Sequence, residues 1–185
     1  GSDSTRFECD RIHGTLFRGA ILERPRLVVR TEGREATWAS ARRARVDYDL
    51  WSLLVSSRRD VTVTLDSLHV VLARDSKNNL VVPRFRKGSR NPGKGEVKIG
   101  LVLRGASLAL EAEHLSLLNL DGTGIVVVGA SGSSVLVERL EGVVRGGESS
   151  LPLRLNGMVA FQDSTWRLDP VRVECGVDGV TTWTS

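Results

Sequence analysis

Four sets of residues in this 185-residue chain have types and spacings that invite chemistry, and none of them makes a complete site. Gly88, Gly93 and Lys94 match the opening of a phosphate-binding P-loop, but Gly95 stands where the magnesium-binding Ser or Thr belongs. Pro92 also removes a backbone donor from the cradle, and the following residues read as a strand, so no helix N-terminus would face a phosphate. His13, His69 and His114 are isolated from one another and from Cys9 and Cys175, with no ligand spacing of the H-x-x-x-H or C-x-x-C kind. Ser131 and Ser133 sit in a glycine-rich turn that is not a nucleophile elbow. Asp47 and Asp49 form a carboxylate pair that helix capping accounts for. The sequence therefore predicts no catalytic residue, no metal site and no cofactor: a protein that is not an enzyme.

The basic residues suggest binding instead. The net charge of +4 is local: Arg84, Arg86, Lys87, Arg90, Lys94 and Lys98 face Glu96 alone, so this window carries +5 and the remainder −1. Residues 84–95 have the composition of a mobile loop. Arg84, Arg86, Lys87, Arg90 and Lys94 are candidates for contact with anionic headgroups or an acidic partner. Phe85 is the single aromatic among them, too few to stack bases, so nucleic acid is not expected.

The elements that would position any such contact follow from the apolar pattern. An apolar residue is followed by others three, five and seven positions on: Leu22-Pro25-Leu27-Val29, Leu65-Leu68-Val70-Leu72, Leu110-Leu115-Leu117 (with Glu113 in the middle place) and Leu168-Val171-Val173-Cys175. Val137-Leu140-Val144 is a weaker copy. The last three places alternate as a half-buried strand does, and the opening step of three breaks phase, so each strand must bulge or bend there. Strands are expected near 11–31, 35–46, 60–73, 79–83, 96–104, 106–118, 123–129, 134–145, 151–161, 165–175 and 177–184, with residues 1–10 a disordered lead-in. Leu50, Leu53 and Leu54 fall on one helical face, which predicts a two-turn capping helix over 48–54 that also carries Trp51. The fold class is thus all-β: a long curved antiparallel meander forming one β-rich segment, 1–185, of a longer repeat-like protein. Cys9 and Cys175, near opposite ends of such a meander, are expected as free thiols. No stretch is apolar enough to span a bilayer as a helix. Gly1-Ser2 reads as a cloning scar.

The order of Ile12-His-Gly-Thr-Leu-Phe-Arg-Gly19, Leu22-x-x-Pro25-x-Leu27-x-Val29, Asp49-Leu-Trp-Ser-Leu-Leu54 and Leu65-x-x-Leu68-x-Val70-x-Leu72-x-Arg74-Asp75 resembles the amino-terminal part of AsmA-like proteins, the TamB branch nearest. The resemblance covers roughly residues 11–83; the basic loop departs from it. It implies a periplasmic protein tethered to the inner membrane of a diderm bacterium through an anchor outside this sequence. It also implies a sheet curled into an open, taco-like trough that moves phospholipid between the two membranes in support of outer-membrane biogenesis, with an outer-membrane or periplasmic assembly partner.

Two readings of the apolar residues stay open at this point. In the first, Leu22, Leu27, Val29, Leu65, Leu68, Val70, Leu72, Leu108, Leu110, Leu115, Leu117, Val135, Val137, Leu153, Leu155, Val171 and Val173 line a trough for acyl chains, which offer no hydrogen bonds to read. In the second, the same residues fill the dry core of a closed sandwich that serves as a docking module for a protein partner.

Overall fold

A strand that shifts phase once along its length presents one apolar face only if it kinks there, and this chain kinks at that point again and again. The computed structural model describes residues 4–15, 17, 19–31, 34–50, 58–74, 81, 83, 96–110, 114–129, 132–162, 165–176 and 180–183. Its strands are β1 (Ser4–Glu8), β2 (Arg11–Thr15), β3 (Gly19–Glu23), β4 (Arg26–Thr31), β5 (Arg34–Ser40), β6 (Arg43–Tyr48), β7 (Arg58–Asp66), β8 (His69–Leu72), β9 (Glu96–Leu110), β10 (Leu115–Gly129), β11 (Gly132–Gly146), β12 (Ser149–Gln162), β13 (Thr165–Cys175) and β14 (Val180–Trp183). All belong to one open sheet.

The first eight strands are four long ribbons, each broken once. β1–β2 lies beside β3–β4, which lies beside β5–β6, which lies beside β7–β8, every pair antiparallel. β7 and β8 then pair with successive halves of the same edge of β9, and β9 to β14 follow as an antiparallel meander. The β7–β9 and β8–β9 pairings are parallel. This is the one departure from the expected meander. The chain leaving Leu72 must travel back along the whole ribbon before β9 starts, because parallel neighbours need a crossover.

The breaks line up. Hydrogen bonds from one ribbon to the next continue across them: Asp10 N–H to Glu23 O (3.0 Å), Arg24 N–H to Arg42 O (3.1 Å), Arg42 N–H to Asp66 O (3.0 Å), Ser67 N–H to Arg104 O (2.8 Å). Arg24, Ser67, Gly105 and Asn119 take positive φ values of 47°, 53°, 56° and 52° along this line. In β10 the same line appears as register shifts between Leu117 and Gly122 inside an unbroken strand, and it continues through Glu141–Val143 of β11 opposite Pro152–Arg154 of β12, which pair in regular register. The shifts at Thr123/Gly124, Val137/Leu140 and Asn156/Met158 lie further out on one arm of the sheet. An inserted residue bends a strand and strengthens its twist. Repeated from β1–β2 to β10, it creases the sheet.

Burial shows which way the crease folds. Pro25, Ala41, Ala44, Ala106, Leu120 and Leu153 are buried, and all but Leu153 sit at the break of their own ribbon. Side chains converge at the bottom of a concave fold and splay on the convex side, so the apolar face is the inside of the crease. Ala106, Leu120 and Leu153 form its core, with Leu68, Leu103, Leu117, Leu140, Val144 and Val173 against them. The accessible surface of 13259 Å² compares with roughly 8,800 Å² for a compact monomer of this mass. Among the described residues no large side chain is fully buried. A single open sheet has nothing to close against, and the closed sandwich with a dry core is not the architecture of this chain.

Several sequence expectations need correction. Ser4–Glu8 is strand β1, paired with β4 from Ser4 opposite Arg30 to Glu8 opposite Arg26, so the lead-in is part of the sheet. Leu110 and Leu115 belong to different strands, joined by a turn in which His114 has a φ of 51°. The strand expected over 106–118 is therefore the end of one strand and the start of the next. Asp121 and Gly122, between the strands expected near 106–118 and 123–129, lie inside β10, where Asp121 Oδ1 accepts the Gly105 N–H at 2.9 Å. Tyr48 ends β6, so a helix cannot begin there; Leu50 is helical, and Trp51, Leu53 and Leu54 lie outside the described residues. The expected strand at 79–83 also lies mostly outside them. Cys9 and Cys175 are free, eight strand spacings apart on the path from β1 to β13.

Candidate apolar groove and polar outer face

Residues opposite one another in a ladder share a face, so the register fixes what the groove presents. Phe7 lies opposite Leu27, Leu27 opposite Ala39, and Ala39 opposite Val70, which is opposite Leu108, itself opposite Leu117; Val144 and Leu151 complete that row. On the other arm of the crease the row is Ile12, Leu22, Ala44, Leu65, Leu103, Gly122, Leu140, Leu155 and Val173. All seventeen positions singled out from the sequence fall on this one face, from Leu22 in β3 to Val173 in β13. Among the described side chains on it, none is charged. Across ten ribbons at roughly 4.8 Å each, the face runs on the order of 40 Å along the crease.

The groove is not uniform. Over the first four ribbons it holds an open pit of about 260 Å³, lined by Phe7, Leu22, Pro25, Leu27, Ala44 and Leu65 among others. Small residues make the hollow: Ala39, Ala41 and Ala44 occupy lining positions that later ribbons fill with leucine. Over β9 to β11 the remaining space near Leu101, Leu103, Val126, Val137 and Leu140 is about 80 Å³. There the side chains interlock. A Cβ on Gly142 would lie 2.6 Å from Leu120 Cδ2 and 2.9 Å from the Leu118 carbonyl oxygen, so glycine is what lets Leu120 lie flat on the next strand.

The opposite, convex face carries the charges, interspersed with apolar side chains such as Leu118, Ile125, Leu136 and Val143. Row by row it carries Glu8 beside Arg26, Glu23 beside Arg43, Asp66 beside Arg104, and Glu141 beside Arg154 and then Glu174. Arg139 Nη2 bonds Glu141 Oε2 at 2.7 Å, Arg172 bonds Glu174 at 2.8 Å, and Arg154 reaches Glu141 at 3.4 Å. The Arg139 hydrogen bond holds the Glu141 carboxyl below its ordinary range, opposed in part by desolvation, and the same pairing raises Arg139. These groups wall a shallow depression of about 280 Å³. His69 Nδ1 lies 2.8 Å from Ser107 Oγ, and His13 pairs with Glu23 at 3.4 Å, both on this polar side. Among the described residues no group of His, Cys, Asp and Glu is arranged to hold a metal.

Of the candidates named from the sequence, Arg84, Arg86, Lys87, Arg90 and Lys94 lie outside the described residues. Sequence reasoning passed over Ala39, Ala41, Ala44, Val46 and Val63, which line the pit. The signal was present, because Ala41-Ala44-Val46-Tyr48 and Leu103-Ala106-Leu108-Leu110 repeat the three-five-seven spacing with alanine in leading places. Among the described residues no helix is long and apolar enough to cross a membrane. No protein-family model, curated protein or solved structure matches the chain.

Proposed function

We propose that this chain binds phospholipid acyl chains along the creased apolar face and gives them a path across its ribbons. The observation that carries this reading is the concave face itself: continuous over the sheet, without charge among its described side chains, and open over the first four ribbons. Each methylene moved from water onto such a surface gains about 0.8 kcal/mol, and no polar anchor is required. A lining with no hydrogen-bonding grid tolerates a chain that slides, which suits conduction better than tight capture. The resemblance to AsmA-like proteins of the TamB branch supports the same reading, with the periplasm as its place, an inner-membrane tether and an assembly partner at the outer membrane. Nothing in the site calls for catalysis. The basic segment 84–95 directly precedes β9 in sequence, and contact of its cations with a phosphate headgroup would complement acyl chains in the groove.

Native mass spectrometry of protein expressed in bacteria, with lipid extraction of the same sample, tests the proposal. Co-purified phospholipid is expected in the parent. Ala44→Trp, which fills the pit from its floor, should remain folded by circular dichroism and lose that lipid. A parent that carries none, and that takes up none from phosphatidylethanolamine–phosphatidylglycerol vesicles, overturns the reading.

A further inference from the structure

The described sheet has an edge at β1–β2, and its apolar face continues that of the interior ribbons. Among the described residues no strand pairs with the outer edge of β1 or β2. Phe7 and Ile12 on the apolar face are 57% and 65% exposed. Proteins usually blunt a free edge with a short strand, a lysine or a proline. Residues 4–15 contain neither lysine nor proline, whereas the opposite end of the sheet is a four-residue strand, β14, beside a strand that carries Pro170.

We propose that the β1–β2 edge pairs with the same edge of a second copy of this chain, antiparallel about a two-fold axis at the crease. The edge is self-complementary. β1 and β2 are five-residue arms on either side of Cys9 and Asp10. Turned about that centre, Phe7 meets the partner's Ile12 on the apolar face, and Glu8 meets the partner's Arg11 on the polar face, each contact made twice. Arg11 has no ion-pair partner among the described residues, and Glu8 is bonded only from its own side of the sheet, by Arg6 and Arg26. A two-fold axis perpendicular to the sheet keeps both apolar faces on the same side. The two grooves then join end to end into one path on the order of 80 Å long. The pairing does not depend on what fills the groove, so it stands or falls separately from lipid binding.

The test uses the full chain, stripped of lipid, with Cys9 and Cys175 replaced by serine. Sedimentation velocity over a concentration series should show a reversible monomer–dimer equilibrium. Phe7→Cys and Ile12→Cys variants are then prepared separately and oxidised alone and mixed. Opposed positions bring their Cβ atoms to about 5 Å, whereas Phe7 lies roughly 17 Å from the partner's Phe7. The mixture should cross-link to dimer, and each variant alone should cross-link at least tenfold less. A chain that is monomeric at all concentrations overturns the proposal. So does a dimer that fails to cross-link in the mixture, or one in which either single variant links as well.

Discussion

The two halves of the sheet make the same crease by different means. In the first four ribbons it interrupts the ladder, so each ribbon becomes two strands, and Arg24 and Ser67 absorb the turn with positive φ. In β9 and β10 it runs inside continuous strands, through a positive φ at Gly105 and register shifts between Leu117 and Gly122, and β11 and β12 pair across it in regular register. The first half lines its crease with Pro25, Ala41 and Ala44 and keeps a pit; the second packs Leu120, Leu140 and Leu153 across it. Side-chain volume at the crease therefore decides whether the sheet has a groove or a core. One half leaves a hollow at its crease, and the other fills it.

The largest contrast between the halves should come from a buried carboxylate. Leu120→Asp places a charge at a position only 6% exposed, with no partner on the apolar face. Burying an unpaired charge costs several kcal/mol, a large share of a domain's stability. Val63→Asp introduces the same group beside the open pit, where water reaches it. The expected result is a chemical-denaturation midpoint that collapses for Leu120→Asp and moves little for Val63→Asp, with bound phospholipid lost in the second. Equal destabilisation by both would mean that the pit is as dry as the core.

A smaller effect should follow from overfilling the interlocked half. Gly142→Val puts side-chain atoms where Leu120 and the Leu118 carbonyl already lie, and overpacking of this kind costs about 1–3 kcal/mol. Gly105→Ala, by contrast, meets no atom within 4 Å, and its penalty comes only from the positive φ, about 1–2 kcal/mol. Relief of strain in the first half runs the other way. Arg24→Gly and Ser67→Gly should hold stability or raise it by up to about 1 kcal/mol, since glycine tolerates φ near 50°. A loss of more than that in thermal melts would show that these side chains do more than bridge the bend.

The crease was legible because a phase shift in an apolar pattern has only one structural resolution, and Leu22-Pro25 and Leu65-Leu68 state it plainly. It was misread at Leu110-Leu115, where residues 111–114 include no glycine or proline and the leucine spacing ran on through the junction of two strands. The pit was missed for a physical reason. A hollow is made by residues that are too small, and Ala39, Ala41 and Ala44 give weak hydrophobic signals where the geometry matters most. The parallel junction at β9 could not be read either. Strand pairing order depends on where residues 73–95 carry the chain, and no local pattern in them specifies a direction.

The smallest effect is expected on the polar face. The Arg139 hydrogen bond depresses the folded-state pKa of Glu141 below its unfolded value, so the unfolded chain binds a proton more readily there. The stabilising contribution is therefore fully present above the unfolded pKa, about 4.3, and is lost as pH falls through the lower folded value. Because the group is open to solvent, screening keeps that contribution small. Glu141→Gln should leave the neutral-pH melting temperature within the range of ordinary surface substitutions. Below about pH 4 the parent should lose part of its margin over the variant, so the two melting curves converge. Salt should shrink the neutral-pH difference further, since the pair is exposed. A Glu141→Gln variant destabilised as much as Gly142→Val would make the charged grid of the convex face a structural brace for the second half of the sheet, on a par with the leucines on its other side.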